Sequence, residues 1–427
     1  MASNGKLQQQ QSSTIVSLDI KNHPGAWRGP PISGEAVEVG NRVLQLNHDK
    51  YHPFFSYMDR EGVHFHNYLT HHALTLLSLG ASPKQIQHLF DINTPYQRGS
   101  VPVKQEIVEN LSNSSIYKKS LGDEDFYTSF LKFFEKEVDS KGAPAVLQKY
   151  VFDEDLVADD MLQGFIHPLV QLGLGIEFNQ PAIVAEGLAQ AAVHSDHYLF
   201  AFFHEAEERA PGVASKYLAG LLDLASADEK CRNASNSQVR EKVRDGVLLN
   251  VREEAINLAA QYQVGEDEVD LRLAEPSNAS AYMVAEAQRW NKAPRMDFFV
   301  FHALNTSIFL GPISKLAWLS QRSKARLLTY AGRMSLLLFI DMGAAPLDLE
   351  IIRQQQVSKP YEDRPEFRLK GKDFEKFAVA IVDSLNPKGG KAGPQEDENW
   401  IRGSGFDDVW ETVPSESNCP MASTKST

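Results

Sequence analysis

Cysteine is nearly absent. Cys231 and Cys419 are the only two in 427 residues, too few and too far apart for a disulfide framework or a thiolate metal site. Long apolar runs are also missing. LLLFI at 336–340 is closed by Asp341, well short of the roughly 18 residues that a membrane span requires. The first 20 residues lack the charged start and apolar core of a secretory signal. Nor is there an excess of basic residues: Lys plus Arg number 43 against 56 Asp plus Glu, a net charge of −13. That balance disfavours an electrostatic hold on nucleic acid or an anionic membrane. Together these absences lead us to expect a cytoplasmic protein whose partner is a small molecule, with neither nucleic acid nor membrane involved.

Several familiar chemistries are missing too. GLGIEF (173–178) and GSGFDD (403–408) lack the third glycine of a dinucleotide fingerprint, and no phosphate-cradling GxxxxGK[ST] loop occurs. HEAEER (204–209) has Glu208 where a zinc-protease helix needs its second histidine, and no serine sits in a GxSxG elbow. Alternating valine and isoleucine bounded by turn dipeptides is scarce, which leaves no βαβ unit.

Helical periodicity fills the space. Apolar residues recur at three- and four-residue spacing over 61–79, 123–139, 158–176, 181–203, 212–225, 238–262, 295–310 and 322–341. The expected fold is all-α. We expect a disordered tail over 1–20, one large multi-helix body over 21–385, a mobile loop over 386–398, a segment over 399–415 packing on the body, and a second disordered tail over 416–427.

The 13 histidines are the most informative feature. On a helix over 61–79, His64, Tyr68, His71, His72 and Thr75 fall within about a 100° arc of an otherwise apolar surface. Asp160, Gly164, His167 and Gln171 make a second stripe, and Pro168 is expected to kink the helix that carries it. Gly187, Gln190, His194 and Tyr198 make a third, with His197 nearby, and His302 stands with Asn305 and Thr306 on a fourth. Each histidine read singly fits a hydrogen-bonded core residue as well as a ligand. Lys376, among Lys372, Asp373 and Asp383, reads from spacing as a solvated lysine. Histidines on four helices can also converge in the middle of a bundle, where imidazole suits iron, copper or zinc.

Five blocks in order carry a resemblance: NRVLQLNHDKYHPFF, FHNYLTHHALTLLSLGAS, GFIHPLVQLGLGIEFNQPAIVAEGLAQAAVH, DFFVFHALNTSIF, and FEKFAVAIVDS with WIRGSGFDDVWETVP. Over roughly residues 41–415 the chain resembles the questin oxidase-like family of fungal secondary metabolism. The resemblance implies a largely helical oxidoreductase that uses dioxygen to open a ring of an aromatic polyketide such as an anthraquinone, either by Baeyer-Villiger-type oxidation or by iron-dependent dioxygen chemistry. It also implies a histidine-rich Fe(II) site and a lysine that binds the metal as its carbamate. Carried over by motif, these are His167, His194, His302 and Lys376. Relatives read HNH where this chain reads His66-Asn67-Tyr68, so His72, one turn on, is the expected replacement ligand, with His66 ranked below it. Tyr68 and Asn305 are expected near the substrate, and Asn305 and Gln171 as partners that orient imidazoles. Two other readings remain: an NADPH- or flavin-assisted Baeyer-Villiger oxidase without iron, and a non-catalytic helical binding protein.

Overall fold

The computed structural model describes residues 11–25, 31–58, 64–153, 161–194, 197–290, 292–293, 295–348 and 400–415. Lys376, the segments 1–10 and 416–427, and the expected loop over 386–398 lie outside the described residues.

The fold is all-α, as the periodicity requires, with strands confined to two small sheets among the described residues. By its internal packing the chain divides into two compact units, Met1–Phe200 with Phe309–Ser323 and Ala201–Ile308 with Lys324–Thr427. A chain of this length exceeds what one hydrophobic core ordinarily holds. No described helix is long and apolar enough to cross a membrane.

Labelling the elements used below in chain order, the first unit contains α1 (Gly34–Lys50), β1 (Tyr51–Met58), β2 (His64–His66), α2 (Leu69–Ser78), α3 (Pro83–Asn93), β3 (Gln97–Gly99), α4 (Tyr127–Lys141), α5 (His167–Glu177) and α6 (Pro181–Val193). Local chemistry sets the helix starts. Ser33 accepts from the Ala36 amide at the head of α1, and Ser82 with Gln85 closes a reciprocal capping box on α3, with Pro83 in its first turn. Helix α6 is the centre of the unit, packed on α5 and α4, while α1, α2 and α3 pack on one another. The α5–α6 approach depends on Gly187, where an added Cβ would come within 2.8 Å of the Leu172 amide nitrogen. β1 is the middle strand of an antiparallel sheet, β2-β1-β3.

Residues 11–20, expected to belong to a mobile tail, are held on this unit. Ser13 is buried and donates to the Glu135 carbonyl at 2.7 Å, the Val16 amide donates to Gln45, and the Leu18 amide to Asn41. Polar composition concealed this, because the anchoring bonds run through the Ser13 hydroxyl and the segment's own backbone amides, and only Val16 and Leu18 are apolar anchors.

In the second unit, the chain forms β4 (Met296–Asp297) and enters α7 (Val300–Ser314), and later α8 (Gln321–Asp341). β4 pairs in parallel with β5 (Trp400–Ile401). Buried Asp297 ties these pieces together. One of its oxygens accepts from the Phe299 and Val300 amides at the start of α7, and the other from the Gly403 and Ser404 amides.

Candidate active site

Three departures from simple helical periodicity build the site in the first unit. The expected helix over 61–79 begins only at Leu69. Upstream of it His64–His66 is a strand, paired antiparallel with β1 so that His66 lies opposite Phe54. Strand geometry turns the His66 side chain into the core, where it is buried edge-on to Phe54 at 5.3 Å. His66, ranked low on the premise of a continuous helix, is therefore central.

The second departure concerns Pro168. It does not kink a longer helix. It stands in the first turn of α5, where its missing N–H costs nothing. Before it, Gly164, Phe165 and Ile166 all take positive φ (54°, 51° and 69°), a tight turn that makes His167 the first residue of the helix. The His167 Nδ1 lies 2.6 Å from the Gly164 carbonyl.

Thirdly, the stripe over 181–203 is broken. Helix α6 ends at Val193, and His194 caps it in extended conformation, with Nδ1 2.6 Å from the Gln190 carbonyl.

A carbonyl only accepts, so His167 and His194 each carry the proton on Nδ1 and present Nε2 as an acceptor. The Tyr68 hydroxyl donates to His167 Nε2 at 2.9 Å, and His66 Nε2 donates to His194 Nε2 at 2.9 Å. The rings are layered. His66 lies on His167 with centroids 3.6 Å apart and planes 7° from parallel, and the His194 ring is 5.2 Å from His66 at 8°. Gly164 makes room for this: a Cβ there would stand 2.1 Å from His194 Nε2 and 2.9 Å from His66 Nε2.

Behind the layered rings lies a buried ionic network. His71 Nε2 meets Gln171 Oε1 at 3.1 Å, Gln171 Nε2 donates to Glu186, and Glu186 meets His48 Nδ1 at 2.6 Å. The other His48 nitrogen contacts Glu135 at 3.0 Å, and Lys132 Nζ donates to Glu135 at 2.8 Å. Burial opposes charge on His48, but its two carboxylate partners outweigh burial and hold it up at about 10. A polar cavity of about 20 Å³, lined in part by Glu186, Gln190, Asn47 and Thr70, adjoins the network and has room for a water molecule.

His167 and His194 come together, with Tyr68 hydrogen-bonded to His167. His72 lies on α2 with its ring 5.9 Å from Tyr68, and burial pushes it down to about 4. Its Nδ1 is buried with no hydrogen-bond partner among the described residues. His302 and Asn305 belong to the second unit. There the His302 Nδ1 lies 2.6 Å from the Phe298 carbonyl, and burial pushes this ring down to about 4. Gln171 does orient an imidazole, that of His71. Lys376, Asp160 and the side chains of His64 and His197 lie outside the described residues. Sequence reasoning missed His48, Glu135 and Glu186. Glu186 had a signal, being the one charged residue in PAIVAEGLAQAAV.

The donor set suits a first-row transition metal such as iron. His167, His194 and His302 share one pattern, Nδ1 held on a backbone carbonyl and Nε2 left as the basic atom, which is how ligating imidazoles are oriented. Among the described residues, no three His, Cys, Asp or Glu side chains already surround one metal position.

Comparison with known proteins bears on the chemistry. The family model described as questin oxidase-like matches residues 65–401. The chain is 33% identical to a questin oxidase of Aspergillus fumigatus over 94% of this chain and 99% of that protein. It is 32% identical to the Baeyer-Villiger oxidase ptaJ of Pestalotiopsis fici over 89% of this chain and 94% of that one. The Baeyer-Villiger oxidase mdpL of Emericella nidulans is 35% identical over 80% and 78% respectively.

Proposed function

The chain belongs to the questin oxidase-like family and is an oxidoreductase, and from that premise we propose that it opens a ring of an aromatic polyketide such as an anthraquinone with dioxygen, at a non-heme iron held by imidazoles. The observation that carries this reading is the shared orientation of His167 and His194, each with Nδ1 on a carbonyl and Nε2 aimed into the layered rings. Within the first unit His72 and His66 are further candidate ligands, while His302 and Lys376, the last as its carbamate, are ligands that the family resemblance alone adds. Iron bound there would supply dioxygen activation.

The rest of the work falls to the chain. Phe54, edge-on to both His66 and His194, and Phe55, edge-on to Tyr68, provide apolar surface for a flat ring and exclude water. Tyr68 holds a proton at His167 Nε2, and His66 holds one at His194 Nε2. The buried thiol of Cys231 suits a cytoplasmic location.

Elemental analysis of anaerobically purified protein, coupled to oxygen uptake with an anthraquinone substrate, tests the reading. His167→Ala and His194→Ala should lose iron and turnover while remaining folded. Full iron and activity in both would refute it. Lys376→Ala should recover activity when a short carboxylate is added, since that anion can occupy the vacated oxygen position. The second reading, an NADPH- or flavin-assisted Baeyer-Villiger oxidation without iron, draws on the names of the relatives. Oxygen uptake that requires NADPH, in protein stripped of metal, would favour it.

A further inference from the structure

Glu186 is a charge that its own helix does not account for. It is the one ionisable residue of α6, its side chain is buried, and a carboxylate removed from water is costly unless it is paired. Its two oxygens serve different partners. One meets His48 Nδ1 at 2.6 Å, and the other accepts from Gln171 Nε2.

These contacts dictate where the protons sit. An ionised carboxylate has no proton to give, so the amide nitrogen of Gln171 must face Glu186 and its oxygen must face His71. An amide oxygen only accepts, so His71 must carry its proton on Nε2, at 3.1 Å from Gln171 Oε1. The His71 ring is 6.2 Å from that of His167 and tilted 19° from it. It thus meets the layered rings as the tautomer opposite to His167 and His194.

We propose that Gln171 is a positioning residue that transmits the orienting effect of Glu186 to His71 while keeping the carboxylate itself one amide away, so that His71 adjoins the histidine cluster with its proton fixed on Nε2. The contrast lies within the same network. His48, in direct contact with two carboxylates, is held charged, whereas His71 receives orientation through a neutral group.

Among the described residues, the groups facing this seam include His48 from α1, Tyr68 at the N-cap of α2 and His72 within it, Tyr127, Lys132 and Glu135 from α4, His167 from α5 and Glu186 from α6. Glu186 is the carboxylate joined to His71 through an amide. The consequence for catalysis rests on the oxidase reading above; the tautomer does not.

The test is nitrogen NMR on the full-length protein carrying labelled histidine, with the His71 signals assigned from His71→Gln. The native protein should show His71 protonated on Nε2 alone. Glu186→Gln keeps the shape but lets Gln171 face either way, so both His71 tautomers should populate, with kcat falling about 10- to 100-fold and KM little changed. The double exchange Gln171→Glu with Glu186→Gln again sets an acceptor-only group against His71 and should restore the single tautomer. If Glu186→Gln does not fold, Gln171→Met leaves the His48 contacts in place and should release His71 in the same way. A single Nε2–H tautomer in each single variant that folds would overturn the proposal. The tautomer signal needs no substrate. An error in the oxidase reading would show as native protein without turnover, whereas an error here would show as an unchanged His71 spectrum.

Discussion

The His66 ring lies flat on the His167 ring, 3.6 Å between centroids and 7° from parallel, although 100 residues separate a strand end from a helix start. The contact couples the two hydrogen bonds that organise the site. His66 donates to His194, and His167 accepts from Tyr68. His66→Leu should therefore keep the fold, leave His194 without its donor, and lower turnover by about 10- to 100-fold. Circular dichroism with steady-state oxygen uptake checks it, and wild-type turnover in this variant would remove His66 from the site.

Gly164 leaves no room for an added methyl group. Its φ is +54°, and the added Cβ would overlap His194 Nε2 at 2.1 Å. Gly164→Ala must strain the turn or expel the imidazole. We expect a loss of about 1–3 kcal/mol together with loss of turnover, measured by urea denaturation and by activity. Leu and Phe substitutions at exposed Ile308 serve as the neutral comparison.

How much of this was legible follows from where local rules hold. Ser82-Pro83 and the stretch closing at Asp341 behave as their local sequence says, because caps and amphipathic periodicity are short-range. His66 was misplaced because HFH pairs with β1, which sets His66 opposite Phe54, a partner in another strand that helical periodicity does not see. Pro168 gives the same chemical signal whether it kinks a helix or opens one. Three consecutive left-handed residues before it decide the matter, and two of them are Phe165 and Ile166, which no propensity scale places there. His48 and Glu135 pair across helices and leave no local mark.

His48 gives the stability a definite pH dependence. Its folded value, about 10, lies above the ordinary 6.5, so the folded state holds a proton that the unfolded chain releases between them. The contribution is fully present below about 6.5 and is lost as pH rises through about 10, with a magnitude on the order of a few kcal/mol. Denaturation midpoints should fall across that window, and His48→Gln should flatten the slope by one proton. An unchanged slope would show that the ring is neutral between its two carboxylates.

The last prediction concerns Tyr68, whose hydroxyl covers the only acceptor atom that the Gly164 carbonyl leaves to His167. A metal that binds His167 through Nε2 must first displace this donor. Breaking a neutral hydrogen bond costs about 1 kcal/mol, or roughly a fivefold change in an equilibrium constant. Tyr68→Phe should then bind Fe(II) about fivefold more tightly, measured anaerobically by competition with a chelator of known affinity. Tyr68→His removes the same donor and adds an imidazole, so its gain should be at least as large. The sign is the informative part. A Tyr68→Phe variant that binds iron more weakly would mean that the phenol oxygen contributes to metal binding directly. The hydrogen bond to His167 would then mark two neighbouring ligands, and no competing donor would stand between iron and the imidazole.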